Sequence, residues 1–228
     1  MTDARTNILA RLRSHRAALL PSPAIPTRRF DWDEDERVAR FRQMIEAVRA
    51  EVHEVGADWP ARLAALLREK GAANLRYGPN GPLAAELSAG WPGDGDAPTL
   101  IPHGQSIEDC RADLFGATDA GFTSCRAAIA ETGSLVLWPT PAEPRLLSLV
   151  PAIHCVLLRR EQIVSTLHEL MRREDWSGER DSADAPGTAA SGMPTNALLI
   201  SGPSKSADIE QTLAYGVHGP AQLLVLLI

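Results

Sequence analysis

An α/β sandwich built on a mostly parallel sheet is the fold class this sequence predicts, and three observations carry it. Short, unbroken apolar runs occur at Ala197–Ile200 and Leu223–Ile228, as expected for strands covered on both faces. From Asp58 onward, short strand-like and helix-like segments alternate, the order in which parallel sheets are wound. Gly71, Gly78-Pro-Asn-Gly-Pro82 and Gly133 supply caps and turns between several of those segments. The expectation is a three-layer sandwich over residues 57–228, preceded by an N-terminal helical arm over residues 1–56.

The arm has two helical stretches. Ile8, Leu9, Leu12, Leu19 and Leu20 give residues 4–20 an apolar stripe, and Pro21, Pro23 and Pro26 then impose an extended connector. The acidic cluster Asp31–Glu36 suits the positive end of a second helix, whose stripe reads Val38, Phe41, Ile45, Val48, Val52.

In the main domain, Trp59-Pro60 opens a helix that runs through Leu63, Leu66 and Leu67 to a cap at Gly71. Residues 73–77 read as a strand, Gly78–Pro82 as a turn, and residues 83–87 as a short helix. Residues 97–102 form another strand ending at His103-Gly104, residues 107–114 a helix, and residues 117–123 an extended segment. The two apolar runs flanking Glu131-Thr132-Gly133 predict a hairpin, with Gly133 supplying a positive φ. A short helical piece follows at residues 145–149, a strand at 153–158 and an amphipathic helix at 161–173. Residues 175–195 are poor in large apolar side chains and read as a flexible surface loop. The chain closes with a strand, a loop at Ser201, a helix starting near Ser206, a second loop and a final strand.

Composition removes several function classes. The net charge of −6 leaves no excess of Lys and Arg to neutralise phosphates, which argues against general nucleic-acid binding. No apolar run approaches membrane-span length, and the N-terminus lacks the basic and apolar blocks of a secretory signal, so a cytoplasmic protein is expected. Cys110, Cys125 and Cys155 form no Cys-x-x-Cys pair and read as reduced, partly buried thiols. Three thiolates are one short of an iron–sulfur cluster, and no His-Glu-x-x-His spacing is present. No metal or cofactor site is expected on this chain.

Three stretches could carry chemistry. Ser201-Gly-Pro-Ser-Lys-Ser206 runs into the predicted helix, where free N–H groups and Lys205 would hold a carboxylate or phosphate. The same residues equally suit simple capping by Ser204 or Ser206, with Asp208 and Glu210 as partners of the helix dipole. As the loop after a strand, it is expected at the carboxyl end of the sheet, where ligands of open α/β folds bind. In Tyr215-Gly-Val-His-Gly-Pro220, two glycines and a proline fix the backbone around His218. That histidine is a proton carrier or, equally, a structural cap. Glu131 at the hairpin tip is a candidate base, nucleophile or amine partner, with an exposed turn glutamate as the plain alternative. Arg145 could clamp a carboxylate in a bidentate way. His103 and His154 stand alone beside strands and read as core or rim residues.

Taken together, Ala130-Glu-Thr-Gly-Ser134, Arg145, Pro151-x-x-His154, the Ser201–Glu210 stretch and Gly216-Val-His-Gly-Pro220 resemble the lactate utilization protein C family, which has the LUD domain. The resemblance covers residues 60–228. Lys205-Ser206 stands where that family usually has Arg-Thr. The resemblance implies a fold similar to the glucosamine-6-phosphate deaminase, ribose-5-phosphate isomerase and CoA-transferase superfamily. It also implies a part in oxidising L-lactate to pyruvate, beside partner proteins that carry iron–sulfur clusters.

Three functional readings follow. In the first, the chain is an accessory or substrate-handling subunit of such an L-lactate dehydrogenase complex. Its candidate binding residues for a small carboxylate are Thr132, Gly133, Arg145, Ser201, Gly202, Ser204, Lys205, Ser206, Asp208 and Gly219. In the second, it is an independent enzyme on small phosphorylated or acyl substrates, with Glu131 and His218 as catalytic groups. In the third, it is a non-catalytic scaffold whose arm recruits partners.

Overall fold

Which apolar residues share a strand face decides how this chain is layered. The computed structural model describes residues 4–14, 27–93, 95–104, 107–176, 194–207 and 213–228. Six of its strands form one all-parallel sheet: β1 (Glu51–Glu54), β2 (Asn74–Tyr77), β3 (Thr99–Pro102), β4 (Ala120–Ser124), β7 (Ile153–Leu158) and β12 (Gln222–Leu227), in the order β1-β12-β7-β4-β2-β3. The central strand β7 is buried at every position, and β12 at all but its first, which is why both read as continuous apolar runs.

The α-helix α3 (Trp59–Glu69) and the short α4 (Ala84–Gly90) cover one face of this sheet. Trp59, Leu63 and Leu67 of α3 lie against Leu75, Phe122, Cys155 and Leu224. Trp59 stacks on Phe122 with ring centroids 5.3 Å apart. Pro60 near the start of α3 and Gly71 at φ +74° beyond its end place that helix where the sequence puts it. A fifth helix, α5 (Ile107–Gly116), joins β3 to β4.

The opposite face meets a second sheet in addition to a helix. Strands β5 (Ala127–Ile129), β6 (Ser134–Leu137), β8 (Ile163–Val164) and β9 (Leu198–Ile200) make a four-stranded mixed sheet in the order β8-β5-β6-β9. Ala128, Leu135, Leu137 and Ile163 pack there on Val156, Leu158, Leu223 and Val225, together with α2 (Glu34–Glu46). The outer side of this second sheet is closed by α6 (Leu167–Arg173), where Leu170 and Trp176 lie against Ile129, Val136 and Val164. The α/β character and the parallel sheet agree with the sequence, but the layers number more than three because a sheet intervenes.

Three segments differ from expectation. Residues 161–173 are not one helix: Ile163 and Val164 pair in parallel with β5 before α6 begins at a Thr166 cap. The apolar run Leu198–Ile200 is not a doubly covered strand of the main sheet but the edge of the mixed one, and Leu199 is 48% exposed. Where a helix is expected to begin, near Ser206, the chain forms a strand, β10 (Lys205–Ala207), antiparallel to β11 (Leu213–Tyr215), and residues 208–212 lie outside the described residues. A two-stranded ladder takes the backbone groups a helix would have paired internally.

Residues assigned by sequence to the arm also enter the fold. Asp33 caps α2 through a reciprocal box with Glu36, each backbone N–H donating to the other's carboxylate at 2.9 Å. Phe41 and Ile45 are fully buried, and β1 pairs with β12 from Glu51 to Glu54. The stripe breaks after Ile45: Val48 is 39% exposed, and Val52 is buried from a strand rather than a helix. The first helix, α1 (Ala4–Ser14), buries none of its residues. Most of the loop expected at 175–195, residues 177–193, lies outside the described residues.

Candidate functional site

The Ser201 and His218 loops meet at the amino ends of β7 and β12. Ser204 N–H donates to the carbonyl of Pro220 at 2.7 Å, and Gly216 N–H donates to the carbonyl of Ser204 at 3.0 Å. The backbone of Gly219 lies against the Ser204 side chain. Between these laced loops and the sheets opens a cleft of about 240 Å³, whose lining includes Ser148, His154, Ser201, Gly202, Ser204 and His218. The expected position at the carboxyl end is therefore reversed. Strand β9, which leads into Ser201, belongs to the mixed sheet and runs antiparallel to β6, so it delivers its loop to the other end.

His154 belongs to this site although the sequence gives it no role. It sits opposite Leu223 in register, 1% exposed, with Nε2 2.9 Å from the hydroxyl of Thr123. Its Nδ1 has no partner among the described residues. Burial lowers its pKa to about 3, so the ring is neutral at physiological pH. The available signal was a polar residue inside the apolar run Ile153–Leu158, where every neighbour is hydrophobic.

The hairpin tip reaches the same loop through hydroxyl groups. Thr132 Oγ1 lies 2.7 Å from Ser134 Oγ, which lies 2.7 Å from Ser201 Oγ. Gly133 takes φ +64°, as the turn requires, and presses on α2: a Cβ there would stand 2.6 Å from the Ile45 nitrogen. Glu131 turns elsewhere. Its carboxylate accepts from Arg28 Nη1 at 3.1 Å, and it does not line the cleft.

The cations of the predicted set stand apart from the cleft wall. Arg145 is the exposed first residue of a 3-10 turn (Arg145–Ser148) that contributes Ser148 to the cleft, and Arg145 itself lines a narrow neighbouring crevice. Lys205 is exposed on β10 opposite Tyr215, whose ring lies 4.5 Å beneath the Arg49 guanidinium. Ser206 is half-buried on the same strand. With a strand in place of the expected helix, no helix N-terminus stands at Ser206, and that version of the anion cradle is withdrawn. Asp208 lies outside the described residues.

Cys110, Cys125 and Cys155 are buried thiols outside any disulfide. Burial pushes the Cys125 thiol up to about 12 and raises Cys155 further, which keeps both protonated and poor as metal ligands. Among the described residues, no three His, Cys, Asp or Glu side chains are placed to hold a metal ion, and no helix is long and apolar enough to cross a membrane.

Known proteins resemble this chain as follows. The LUD domain family matches residues 38–228. An uncharacterized protein of Neisseria meningitidis serogroup B is 34% identical over 239 residues, covering 99% of this chain and 94% of the relative. Lactate utilization protein C of Exiguobacterium sp. is 32% identical over 123 residues, covering 54% of this chain and 50% of that protein. The lactate utilization protein C of Halalkalibacterium halodurans is 33% identical over 105 residues, covering 45% and 40%. The matched stretch thus spans half or less of those two relatives. A DUF162 family protein of Deinococcus radiodurans, known from its crystal structure, shares the fold at a TM-score of 0.57 and 24% identity, over 86% of this chain and 98% of that one. With the family matched from α2 to the last residue, over the loops that build the cleft, this chain belongs to the LUD domain family.

Proposed function

We propose that this chain is the substrate-handling component of an L-lactate utilization system, and that the cleft between the Ser201 and His218 loops takes the small carboxylate. The observation that carries this is the meeting of three separate stretches at one place: Ser201–Ser204, His218-Gly219 and, through Ser134, the Thr132 tip. A cleft of about 240 Å³ falls below the roughly 300–1,000 Å³ typical of drug-sized ligands and suits a three-carbon acid. Its polar lining is one of hydroxyls and histidines, apt for a hydroxy or keto group. Neutral His154 offers Nδ1 to that group, and His218 is the proton carrier. Ser148, Ser201 and Ser204 offer the hydrogen-bond donors for the carboxylate, and Arg145 and Lys205, which stand outside the cleft wall, add positive charge in its neighbourhood.

Oxidising L-lactate to pyruvate removes two electrons and two protons, so an electron acceptor is required. The protonated, buried state of Cys125 and Cys155 supports a reading in which the redox centres sit on cytoplasmic iron–sulfur partner proteins. The alternative of an independent acyl- or phosphate-handling enzyme needs Glu131 as base or nucleophile. Its pairing with Arg28 away from the cleft weighs against that reading.

Calorimetric titration of the chain with L-lactate and pyruvate tests the binding step. Saturable binding that Ser204→Ala and His218→Ala each weaken by about tenfold or more, the size of one good hydrogen bond to a charged ligand, supports the proposal. Absence of binding in the wild type with partners present, or binding indifferent to both substitutions, overturns it.

A further inference from the structure

A second cleft occupies the end of the parallel sheet where α/β proteins hold ligands. From β2 the chain passes through α4 to β3 on one side, whereas from β4 it moves on to β7 on the other. The connections leave β2 and β4 in opposite directions, and such a switch point opens a crevice outside the carboxyl ends of the two strands. Residues from those ends line a cleft of about 380 Å³: Leu83 after β2, Ser124 at the end of β4 and Arg159 just past β7, with Arg126, Trp138 and Glu143. It shares no residue with the Ser201 cleft.

Glu143 is the unusual group in it. The side chain is buried and, among the described residues, forms no salt bridge. Its carboxyl accepts from the Ser124 N–H at 3.2 Å and from the Ser124 hydroxyl. The turn after β2 presses on it so closely that a Cβ at Gly81 would stand 2.4 Å from Glu143 Oε1. Burial without a counter-ion raises its pKa, against the two hydrogen bonds from Ser124, which lower it. A buried carboxyl without a counter-ion is costly as structure and marks a candidate functional group.

The surroundings specify a ligand. Arg126 is fixed by Glu174 at 2.9 Å and lies 4.9 Å above the Trp138 ring. Arg159 stands 3.6 Å from Glu86, beyond hydrogen-bond length, and can turn toward an incoming anion. Trp138 carries a buried Nε1 with no partner among the described residues. We propose that this cleft binds a small organic carboxylate with an apolar body, its anionic end at Arg159 and Arg126, its body along Trp138 and Leu83, and its far polar end on Glu143. This site stands independently of the lactate proposal.

The test is titration of the full chain with 4-hydroxybenzoate, whose phenol supplies the far polar end, and in parallel with inorganic phosphate, following the Trp138 indole N–H by NMR. The hydroxybenzoate is expected to shift that signal saturably. Arg159→Gln, whose thermal melt confirms folding, is expected to weaken binding about tenfold or more through loss of the charged contact. Glu143→Gln keeps a polar partner for the phenol and is expected to bind within about threefold of wild type, whereas Glu143→Leu removes it and weakens binding clearly. The proposal is overturned if the hydroxybenzoate leaves the Trp138 signal unmoved, if folded Arg159→Gln or folded Glu143→Leu binds as tightly as wild type, or if phosphate binds as well as the hydroxybenzoate. The last result would mean that an anion suffices without the apolar body.

Discussion

The hydroxyl oxygens of Ser134 and Ser201, separated by 67 residues of chain, lie 2.7 Å apart and tie the hairpin tip to the loop of the candidate site. Ser134 is buried, and it also meets Thr132 at 2.7 Å, so it is the middle of a three-hydroxyl relay. Ser134→Ala removes the buried hydroxyl that Thr132 and the exposed Ser201 share. The expected cost is about 0.5–1.5 kcal/mol of stability, the net worth of a typical hydrogen bond, read from urea unfolding. The same variant is expected to weaken lactate or pyruvate binding. Unchanged stability and binding would show that the relay is incidental.

Gly133 sits at φ +64° with α2 directly against it. Alanine there meets both the left-handed backbone penalty and the Ile45 and Met44 atoms, for an expected loss of about 2 kcal/mol or more. Chemical denaturation measures it. A change below about 0.5 kcal/mol, the level of an ordinary surface substitution, would contradict the packing of the hairpin on α2.

Phe41, Ile45 and β1 pack residues 33–54 into the core and the main sheet. Phe41→Ala is expected to cost about 3–5 kcal/mol, as for other buried aromatics. Removal of residues 1–55, which strips both α2 and β1, is expected to abolish cooperative unfolding in a thermal melt. A truncated chain that melts cooperatively near the wild-type temperature would refute this.

His154 predicts a pH dependence. Its folded-state pKa lies near 3, against an ordinary 6.5, so between those values the unfolded chain binds the proton more readily. The neutral ring's stabilising share is complete above about pH 6.5 and is lost as pH falls toward 3. His154→Gln, which can keep a polar contact to Thr123 but does not titrate, is expected to lose less stability than wild type between pH 7 and pH 5. Parallel slopes in urea melts at the two pH values would sink this assignment.

Much of the fold is legible in the sequence because its signals are local. Trp59-Pro60 and Gly71 bracket α3, the Asp33–Glu36 box opens α2, and Gly133 marks the hairpin. What escapes is pairing at a distance. Leu198–Ile200 has the composition of a core strand, yet its place at a sheet edge depends on Leu135–Leu137. Lys205–Ala207 follows serines that suit a helix cap, but its partner Leu213–Tyr215 decides the conformation. The motif loops were visible, and their meeting at one cleft follows from the way the mixed sheet reverses β9. His154 reads as a core or rim residue, which its burial agrees with, but the lowered pKa and the place in a cleft come from packing; Glu143 carries no local signal, because burial alone creates its unusual state.

The central claim is that the Ser201–His218 cleft handles the carboxylate of a lactate-oxidising system. Its most direct measurement is lactate-dependent reduction of an artificial electron acceptor by this chain reconstituted with the proposed iron–sulfur partner proteins. The account predicts a rate that requires this chain and falls about tenfold or more in folded Ser204→Ala and His218→Ala variants, the loss of roughly one transition-state contact. A rate that is the same without the chain, or that neither substitution lowers, would contradict it.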